Sequence, residues 1–600
     1  MDKRKTNIDM LKGIAIIAVV LYHIGLLESG YLGVDVFFVI SGFLTIPSLL
    51  VKIEGSRFSF WEYIKAKFIR LLPLILIASV LCLAVGFVLW LPDDFENMSE
   101  SIIASVFFSN NILSRITTGN YWNTVNDYKP FMHMWYLGIL MEFYVITPLM
   151  IYLFRHIAKK RNKDERKTCA YGLGITCIVS LLLFLLPIFS IDDKFYYLPF
   201  RFFELELGGF VGLFIEEAKK IKIKKRKIFS AVSLILLIVT ICIGIFSFDI
   251  SSICIEKNIV GLETRETGLL LSNTILLLLS VVLTMSFIFF SEETNTIKEK
   301  NILCLIGKRS FSIFVWHQVL LALYRYSISS KITATFIIYI VAVVLFSELS
   351  YQLVEKKIKV SSKSIAATVI CAAIICGVSG LIYMKSGVVR DIPELEIYTE
   401  NVHRNMHSEY CDRIYAYDKD FEDNNKQKIL VIGNSYARDF CNIILESGYD
   451  VDLSYTNFYY RYRIDRMKLA DIIFMFFDKA EVPSYVFESC NSVYGLGTKM
   501  FGMNNGNIYS HRFADDYFSQ TVCLDEGYRA LNEKWKKSWG ENYIDMIAPV
   551  TNADGTIRVF TDDNKYISQD CKHLTKAGAQ YYSKVLDMQK ILAVNDNENN

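Results

Sequence analysis

The sequence lacks the cysteine and histidine spacings that hold zinc, since its 13 cysteines form no CxxC pair and no Cys/His ligand pattern. It also lacks a nucleic-acid-binding signature in either half. Charged residues are few, at 21% of the chain. These absences predict a protein with no bound metal ion or cofactor and no nucleic-acid partner.

The first apolar segment, which begins at Ile8, lacks the A-x-A-like cleavage site of a secretory signal peptide. A second apolar segment follows it almost immediately. We therefore expect the first segment to remain in the protein as a membrane span.

Apolar residues are in excess. Of the 600 residues, 52% are hydrophobic and 14% aromatic, and the mean hydropathy is +0.31. A soluble protein of this length is less apolar, so several membrane spans are expected. Eleven segments approach the length of about 20 residues that crosses a bilayer, and they lie at 8–27, 33–51, 71–91, 133–154, 169–190, 198–215, 228–248, 266–290, 310–327, 333–354 and 364–384.

Positive charge alternates between the two sides of these segments. Lys3, Arg4 and Lys5 precede the first span. Further basic clusters lie at 65–70, 159–161, 222–227, 298–300 and 356–359, whereas the opposite loops have almost no Lys or Arg. Because positive loops stay in the cytoplasm, the N-terminus is predicted to be cytoplasmic. An odd number of spans then places everything after Met384 outside the cytoplasm.

The two parts of the chain also differ in net charge. After Lys385 there are 24 Lys and Arg against 33 Asp and Glu, whereas the first 385 residues carry a net charge of +11. We expect two domains of different kinds. The predicted bounds are 1–360 for a membrane domain, 361–385 for a last span, 386–427 for a linker and 428–600 for an extracytoplasmic domain.

Several ionisable residues fall inside the predicted spans, where lipid strongly disfavours charge. They are His23, Asp35, Glu142, Arg201, Glu204 and His317. Any one of them alone is more often an inter-helix hydrogen bond than a functional group. Together they predict a polar interior within the membrane domain.

The same region resembles the acyltransferase-3 family of integral membrane acyltransferases. The similarity extends over nearly all of the first 360 residues. The matching strings are Lys-Gly-Ile-Ala and Tyr-His23 near the start, Gly-Val-Asp35-Val-Phe-Phe, Lys67-Phe-Ile-Arg70-Leu-Leu-Pro73, His133-Met-Trp-Tyr-Leu-Gly138, Arg201-Phe-Phe-Glu204 and Trp316-His317.

This resemblance implies roles for some of these residues. It implies that His23 is essential, and that Lys67 and Arg70 meet the phosphates of acetyl-CoA as acyl donor. Lys67 stands where the family usually has Arg, so the charge is kept but the bidentate fork is lost. The string Leu140-Met-Glu142 resembles the subset of the family that acylates bacterial envelope glycans, which implies a glycan acceptor.

Ser435 follows a short buried strand predicted over Ile429–Ile432 and a break at Gly433. A helix is predicted to begin directly after it. This places the hydroxyl where backbone N–H groups and the helix dipole can stabilise an oxyanion. A serine in such a turn is usually only a helix cap. Asp570 and His573 favour catalysis, because an Asp three residues before a His can orient the imidazole that deprotonates a serine.

These segments resemble the SGNH (GDSL) hydrolase family, with Gly433-Asn-Ser435 as its first block and Asp570-x-x-His573 as its last. The stretch from Phe501 to Asn504 resembles the third block, whose Asn side chain donates to the oxyanion. The resemblance therefore implies an oxyanion hole formed by Asn504 and the backbone at Ser435. Asn434 replaces the Asp common in the family, and no second-block glycine is found.

Strands and helices alternate in this last part of the chain, which predicts a parallel α/β sheet of flavodoxin-like type. Strands are expected at 428–432, 451–455, 471–477, 492–497 and 543–550. Helices are expected at 436–446, 524–539 and from 576 to about 591. The aromatic and basic run 455–466 is equally consistent with a sugar-stacking surface and with a cover over the core.

Two functions fit this organisation. The favoured one is transfer of an acetyl group from cytoplasmic acetyl-CoA to hydroxyls of an envelope glycan through a serine acyl-enzyme. The alternative is an extracytoplasmic esterase with a membrane anchor, although an anchor needs only one span. A transporter or signalling protein is disfavoured by the complete Ser/His/Asp set. The oligomeric state stays open.

Overall fold

The computed structural model describes residues 6–55, 58–117, 128–242, 265–291, 300–329, 333–403, 406–457 and 463–592. They form two compact units. The first consists of residues 1–84, 100–325 and 331–379, and the second of 85–99, 326–330 and 380–600.

The described residues up to Met384 form helices and the turns between them. Its helices are α1 Thr6–His23, α2 Leu32–Glu54, α3 Phe60–Leu89, α4 Pro92–Val106, α5 Asn110–Thr117, α6 Trp135–Lys160, α7 Glu165–Leu185, α8 Ile191–Tyr196, α9 Leu198–Leu213, α10 Ile215–Lys219, α11 Ile223–Cys242, α12 Arg265–Ser291, α13 Ile302–Lys308, α14 Ser310–Ser327, α15 Phe336–Ser350 and α16 Ser362–Met384.

Eight helices in the described part of the chain are long and apolar enough to cross a membrane. The protein is therefore a multi-pass membrane protein. The other three predicted spans coincide with α9, α11 and α14, which are shorter or less apolar, and part of the span predicted at 228–248 lies outside the described residues.

Two glycines bring α2 and α9 into backbone contact. A Cβ atom on Gly42 would lie 1.7 Å from the carbonyl oxygen of Leu205, and one on Gly208 would lie 1.9 Å from that of Val39. Only glycine fits at these two points, as is common where membrane helices pack closely. The close approach places the side chains of α2 directly against those of α9.

The second unit contains an α/β sheet. Its strands are β1 Gln427–Ile432, β2 Val451–Thr456, β3 Ile472–Met475, β4 Val493–Leu496, β5 Thr521–Cys523, β6 Tyr543–Ile544 and β7 Thr556–Arg558. Its helices are α17 Met406–Asp412, α18 Ser435–Glu446, α19 Ile464–Leu469, α20 Ser484–Ser489, α21 Gly506–Ser510, α22 Glu526–Trp539, α23 Lys576–Val585 and α24 Met588–Leu592.

Five strands form one parallel sheet in the order β2-β1-β3-β4-β6. This is the strand order of flavodoxin-like sheets, and the predicted fold class is confirmed. Strands β5 and β7 form a separate antiparallel pair, which the sequence did not predict.

Strand β1 is buried on both faces, as expected of a central parallel strand. Ile429 and Val431 pack with α18 and α23, whereas Leu430 and Ile432 pack with α19 and α22. The strand therefore holds its C-terminal end, and the turn that follows it, in a fixed position.

Two predicted bounds were wrong. Strand β6 ends at Ile544 rather than at residue 550, because the Asp545 carboxylate accepts hydrogen bonds from the N–H groups of Ile547 and Ala548, at 3.0 Å each, and turns the chain. The final helix stops at Val585 and a separate short helix follows. Residues 458–462 of the predicted aromatic surface lie outside the described residues.

Candidate active site

Ser435, His573 and Asp570 form one hydrogen-bonded chain. The Ser435 Oγ atom lies 2.7 Å from Nε2 of His573. Nδ1 of the same imidazole lies 2.5 Å from Oδ2 of Asp570. A carboxylate only accepts, so Nδ1 carries the proton and Nε2 is left to accept from the serine hydroxyl. This is the arrangement that activates a serine nucleophile.

Gly433 shapes the turn that carries the serine. Its φ of +146° and its position leave no room for a side chain, because a Cβ atom would lie 2.9 Å from Cβ of Phe476. Its carbonyl accepts a hydrogen bond of 2.9 Å from the Tyr455 hydroxyl. Ser435 is then the first residue of α18, where backbone N–H groups have no acceptor within the helix.

The turn from Asp570 to His573 is held by the aspartate itself. Its Oδ1 atom accepts from the backbone N–H groups of Lys572, at 3.0 Å, and of His573, at 2.7 Å. Cys571 inside the turn adopts φ +68°, a conformation that costs a non-glycine residue energy. Such strain is typical of functional turns.

Asp570 stays ionised over a wide pH range. Desolvation alone would raise the pKa of this carboxyl. The hydrogen bond and charge of the His573 ring and the two backbone N–H donors outweigh it and hold the pKa at about 2. Asp570 is therefore a carboxylate at any pH at which the enzyme would work, and it can keep the imidazole oriented.

The Asn504 side chain is fixed at the start of α21. Its Oδ1 atom accepts a hydrogen bond of 2.6 Å from the N–H of Gly506, which leaves the amide nitrogen as the free donor end. Asn505 beside it is buried and donates to the carbonyl of Ser568, at 2.6 Å. This hydrogen bond connects the segment that carries Asn504 to the loop that precedes Asp570.

In the first unit, three of the predicted intramembrane residues form one ion cluster. Nη1 of Arg201 lies 2.9 Å from Oδ1 of Asp35 and 2.9 Å from Oε1 of Glu204, and all three side chains are at most 5% exposed. The close packing of α2 on α9 brings them together. Pairing is what makes charge tolerable at such depth.

His23 lies in a cluster of three imidazole rings. The ring centre of His317 is 5.1 Å from that of His23 and 5.0 Å from that of His133. Nδ1 of His317 donates to the carbonyl of Phe314, at 2.7 Å. Within the described residues, Nε2 of His317 and both ring nitrogens of His133 are buried without a hydrogen-bond partner. Sequence reasoning missed the role of His133 in this cluster, because three segments far apart in the chain form it.

Lys67 and Arg70 line a cavity of about 250 Å³ together with Lys12, Tyr136 and Tyr144. The Nζ atom of Lys67 lies 3.8 Å from the centre of the Tyr144 ring, a cation–π contact. A cavity with three cationic side chains suits a polyanionic ligand. His23 does not line this cavity.

Glu142 belongs neither to the ion cluster nor to the imidazole cluster, and it does not line the cationic cavity. Its Oε1 atom accepts a hydrogen bond of 2.8 Å from Nδ2 of Asn111, which also donates to the carbonyl of Tyr196, at 3.1 Å. In the described residues, no group of His, Cys, Asp and Glu side chains is arranged to hold a metal ion.

Comparison with known proteins identifies the family of the membrane half. A family profile described as an acyltransferase domain (Acyl_transf_3) matches residues 5–351, more than half of the chain. The chain therefore belongs to this acyltransferase family.

Curated relatives include the O-acetyltransferase OatA of Staphylococcus aureus strains NCTC 8325 / PS 47 and COL. Each is 28% identical over 367 residues, which cover 59% of this chain and 57% of the relative. The match thus spans little more than half the length of these relatives. No solved structure matches the chain.

Proposed function

We propose that this protein transfers acetyl groups from cytoplasmic acetyl-CoA to hydroxyl groups of an extracytoplasmic envelope glycan, through an acetyl ester on Ser435. The observation that carries the proposal is the Ser435–His573–Asp570 hydrogen-bonded chain, which lies in the same polypeptide as an acyltransferase-family membrane domain. The relatives are named O-acetyltransferases, which points to the same chemistry.

The acyl-transfer steps follow from the site's geometry. Oγ of Ser435 attacks the acetyl carbonyl while its proton passes to Nε2 of His573, and Asp570 stabilises the imidazolium. The amide of Asn504 and the N–H of Ser435 stabilise the oxyanion. The nucleophile that carried the acetyl group through the membrane half, rather than coenzyme A itself, then leaves with the proton from His573. A glycan hydroxyl attacks the acetyl ester next, giving its proton to His573, and Ser435 is released with that proton.

The donor site is assigned to the cationic cavity of the membrane half. The phosphates of acetyl-CoA would meet Lys12, Lys67 and Arg70 there. His23 would act in the donor half-reaction, and the Asp35–Arg201–Glu204 cluster would hold α2 and α9 in register around the polar interior. Residues 428–600 would be the SGNH-like domain that receives the acetyl group.

The alternative of an anchored esterase shares the same triad. The membrane half argues against it, since an anchor needs neither a buried ion cluster nor a cavity with three cations. Hydrolysis and transfer differ only in whether water or a sugar hydroxyl attacks the acetyl ester.

The amount of ester-linked acetate on the glycan distinguishes acetyl transfer from ester hydrolysis. The full-length chain is expressed in a bacterial host whose envelope glycans lack O-acetyl groups, and the acetate released by mild alkali is measured. We expect acetate on the glycan of cells with the wild-type chain and none with Ser435→Ala. An esterase would add no acetate to this host, and would instead remove acetate from a host whose glycan is already acetylated.

The membrane topology is a second expectation. The alternating basic loops and the odd number of predicted spans lead us to expect residue 420 outside the cytoplasm. In a chain whose native cysteines have been replaced by serine or alanine, a single cysteine introduced at residue 420 should react with a membrane-impermeant thiol reagent in intact cells. One introduced at residue 161 should react only after lysis. Labelling of 420 only after lysis would contradict both the topology and the proposed route of the acetyl group.

A further inference from the structure

The second unit buries an ion pair that the acyl-transfer steps do not use. Nζ of Lys499 lies 2.6 Å from Oδ2 of Asp439, and the two side chains are 1% and 0% exposed. Burying two charges has a large desolvation cost, and a well-packed apolar pair is often as stable. The pair therefore calls for a role other than stability.

Asp439 connects the nucleophile helix to the histidine loop. It lies on α18, four residues after Ser435, and so on the same side of the helix. Its Oδ2 atom accepts a hydrogen bond of 3.2 Å from the N–H of Leu574, the residue that follows His573. Its Oδ1 atom accepts from the Cys411 thiol, at 3.3 Å.

Lys499 connects the same helix to the segment that carries Asn504. Its Nζ atom lies 3.8 Å from the centre of the Tyr436 ring, and Tyr436 follows Ser435 directly. The same ring stacks on Phe476, with ring centres 4.9 Å apart and planes at 18°. Lys499 itself lies five residues before Asn504. The ion pair thus connects all three segments of the proposed active site.

We propose that Asp439 is a positioning residue for the acyl transfer and that Lys499 is its buried counter-ion. Asp439 holds the His573 loop against α18 through the Leu574 N–H. This hydrogen bond sets the distance between Oγ of Ser435 and Nε2 of His573. A displacement of about 1 Å in such a site can cost on the order of 100-fold in rate. This inference rests on the proposed role of Ser435 as nucleophile.

Two paired substitutions in the full-length protein test the proposal, with hydrolysis of 4-nitrophenyl acetate as the reaction. D439N/K499M removes both charges but keeps an oxygen that accepts from Leu574. D439L/K499M removes the charges and the acceptor. We expect kcat to stay within about threefold of wild type in the first and to fall about 100-fold in the second. KM should change little in either, because neither residue binds the ester.

D478N/K534M is the matched control. Asp478 is also buried and ion-paired in the second unit, with Nζ of Lys534 at 2.8 Å. Among the described residues its side chain also accepts from the Ala480 N–H and the Ser538 hydroxyl, which lie outside the three active-site segments. Its kcat should equal that of wild type. The melting temperature of each variant shows whether it is folded, and if leucine at 439 prevents folding, D439A/K499M replaces it with the same expectation.

Three outcomes overturn the inference. A folded D439L/K499M protein with wild-type kcat would show that the pair does not position the triad. An equal loss of kcat in both paired variants would show that the hydrogen bond to the Leu574 N–H is not what positions His573. A rise in KM with unchanged kcat would mean that the pair acts in substrate binding. Ser435→Ala is measured in parallel. If Ser435→Ala keeps full activity, the proposed nucleophile is wrong. If Ser435→Ala is inactive but D439L/K499M keeps wild-type kcat, only the positioning role is wrong.

Discussion

Replacing Ser435 with alanine is expected to abolish acetyl transfer to glycan and to remove the site at which the protein itself is acetylated. A serine hydroxyl is a poor nucleophile near neutral pH and depends on its neighbouring base. His573→Ala should therefore cost about as much as Ser435→Ala, on the order of 10⁶ in turnover, whereas Asp570→Ala should cost on the order of 10⁴. Loss of the Asn504 amide in Asn504→Ala should cost about 10²–10³.

The acyl-enzyme is measured by intact-mass spectrometry of the full-length protein after brief incubation with an activated acetyl ester. One added acetyl group should map to Ser435 and be absent in Ser435→Ala. Ser489→Ala, which replaces a serine whose hydroxyl donates to the Tyr485 carbonyl, should acquire the acetyl group as wild type does. Full glycan acetylation by Ser435→Ala would mean that the glycan attacks at the membrane half, and the second unit would then be a binding module.

Substitutions in the membrane half should stop the donor half-reaction and leave the reactivity of Ser435 unchanged. We expect His23→Ala to abolish glycan acetylation in cells. Arg70→Ala should raise KM for acetyl-CoA about 10- to 100-fold, the value of a hydrogen-bonded contact to a charged group. Both variants should still hydrolyse 4-nitrophenyl acetate at the wild-type rate, because neither residue belongs to the second unit.

Lys65→Ala is the matched control for the cationic cavity. Lys65 lies on the same helix as Arg70 but is exposed, pairs with Glu62 at 3.0 Å and does not line the cavity. Its KM for acetyl-CoA should be that of wild type. Lys67→Arg keeps the charge and restores the forked donor, so it should bind the coenzyme at least as well as wild type.

If His23→Ala acetylated glycan at the wild-type level, the donor role of His23 would be wrong, and the membrane half would serve only as an anchor.

The sequence predicted those parts of the fold that depend on local pattern. Within the residues that the structure describes, each of the eleven apolar segments coincides with a helix, and the five parallel strands all form. Hydropathy and its periodicity along the sequence are local properties, so they can be read without knowing the fold. Strand β6 was predicted too long, since the turn at Asp545 depends on one side chain bonding to backbone N–H groups two and three residues further on.

The contacts that build the sites were less predictable. Ser435, Asp570 and His573 could be named because short motifs carry them. The pairing of Asp439 with Lys499 and the approach of His133 to His317 join residues that are far apart in the sequence, and no single motif contains both partners of either pair. Such contacts follow from the packed fold, which a single sequence does not reveal.

The proposed nucleophile and its base are 138 residues apart in the chain. The helices that begin at or just after them, α18 and α23, pack on the same face of the parallel sheet. Parallel sheets rely on non-local pairing and form slowly compared with helices. His573 can reach Ser435 only after β1 has been enclosed and α23 has docked beside α18. We therefore expect the serine to be unreactive in a chain that is still being made, and in one truncated before α23. Reactivity toward an activated ester accordingly reports completed folding of the sheet, and its appearance after dilution from denaturant should lag behind the gain of helical signal.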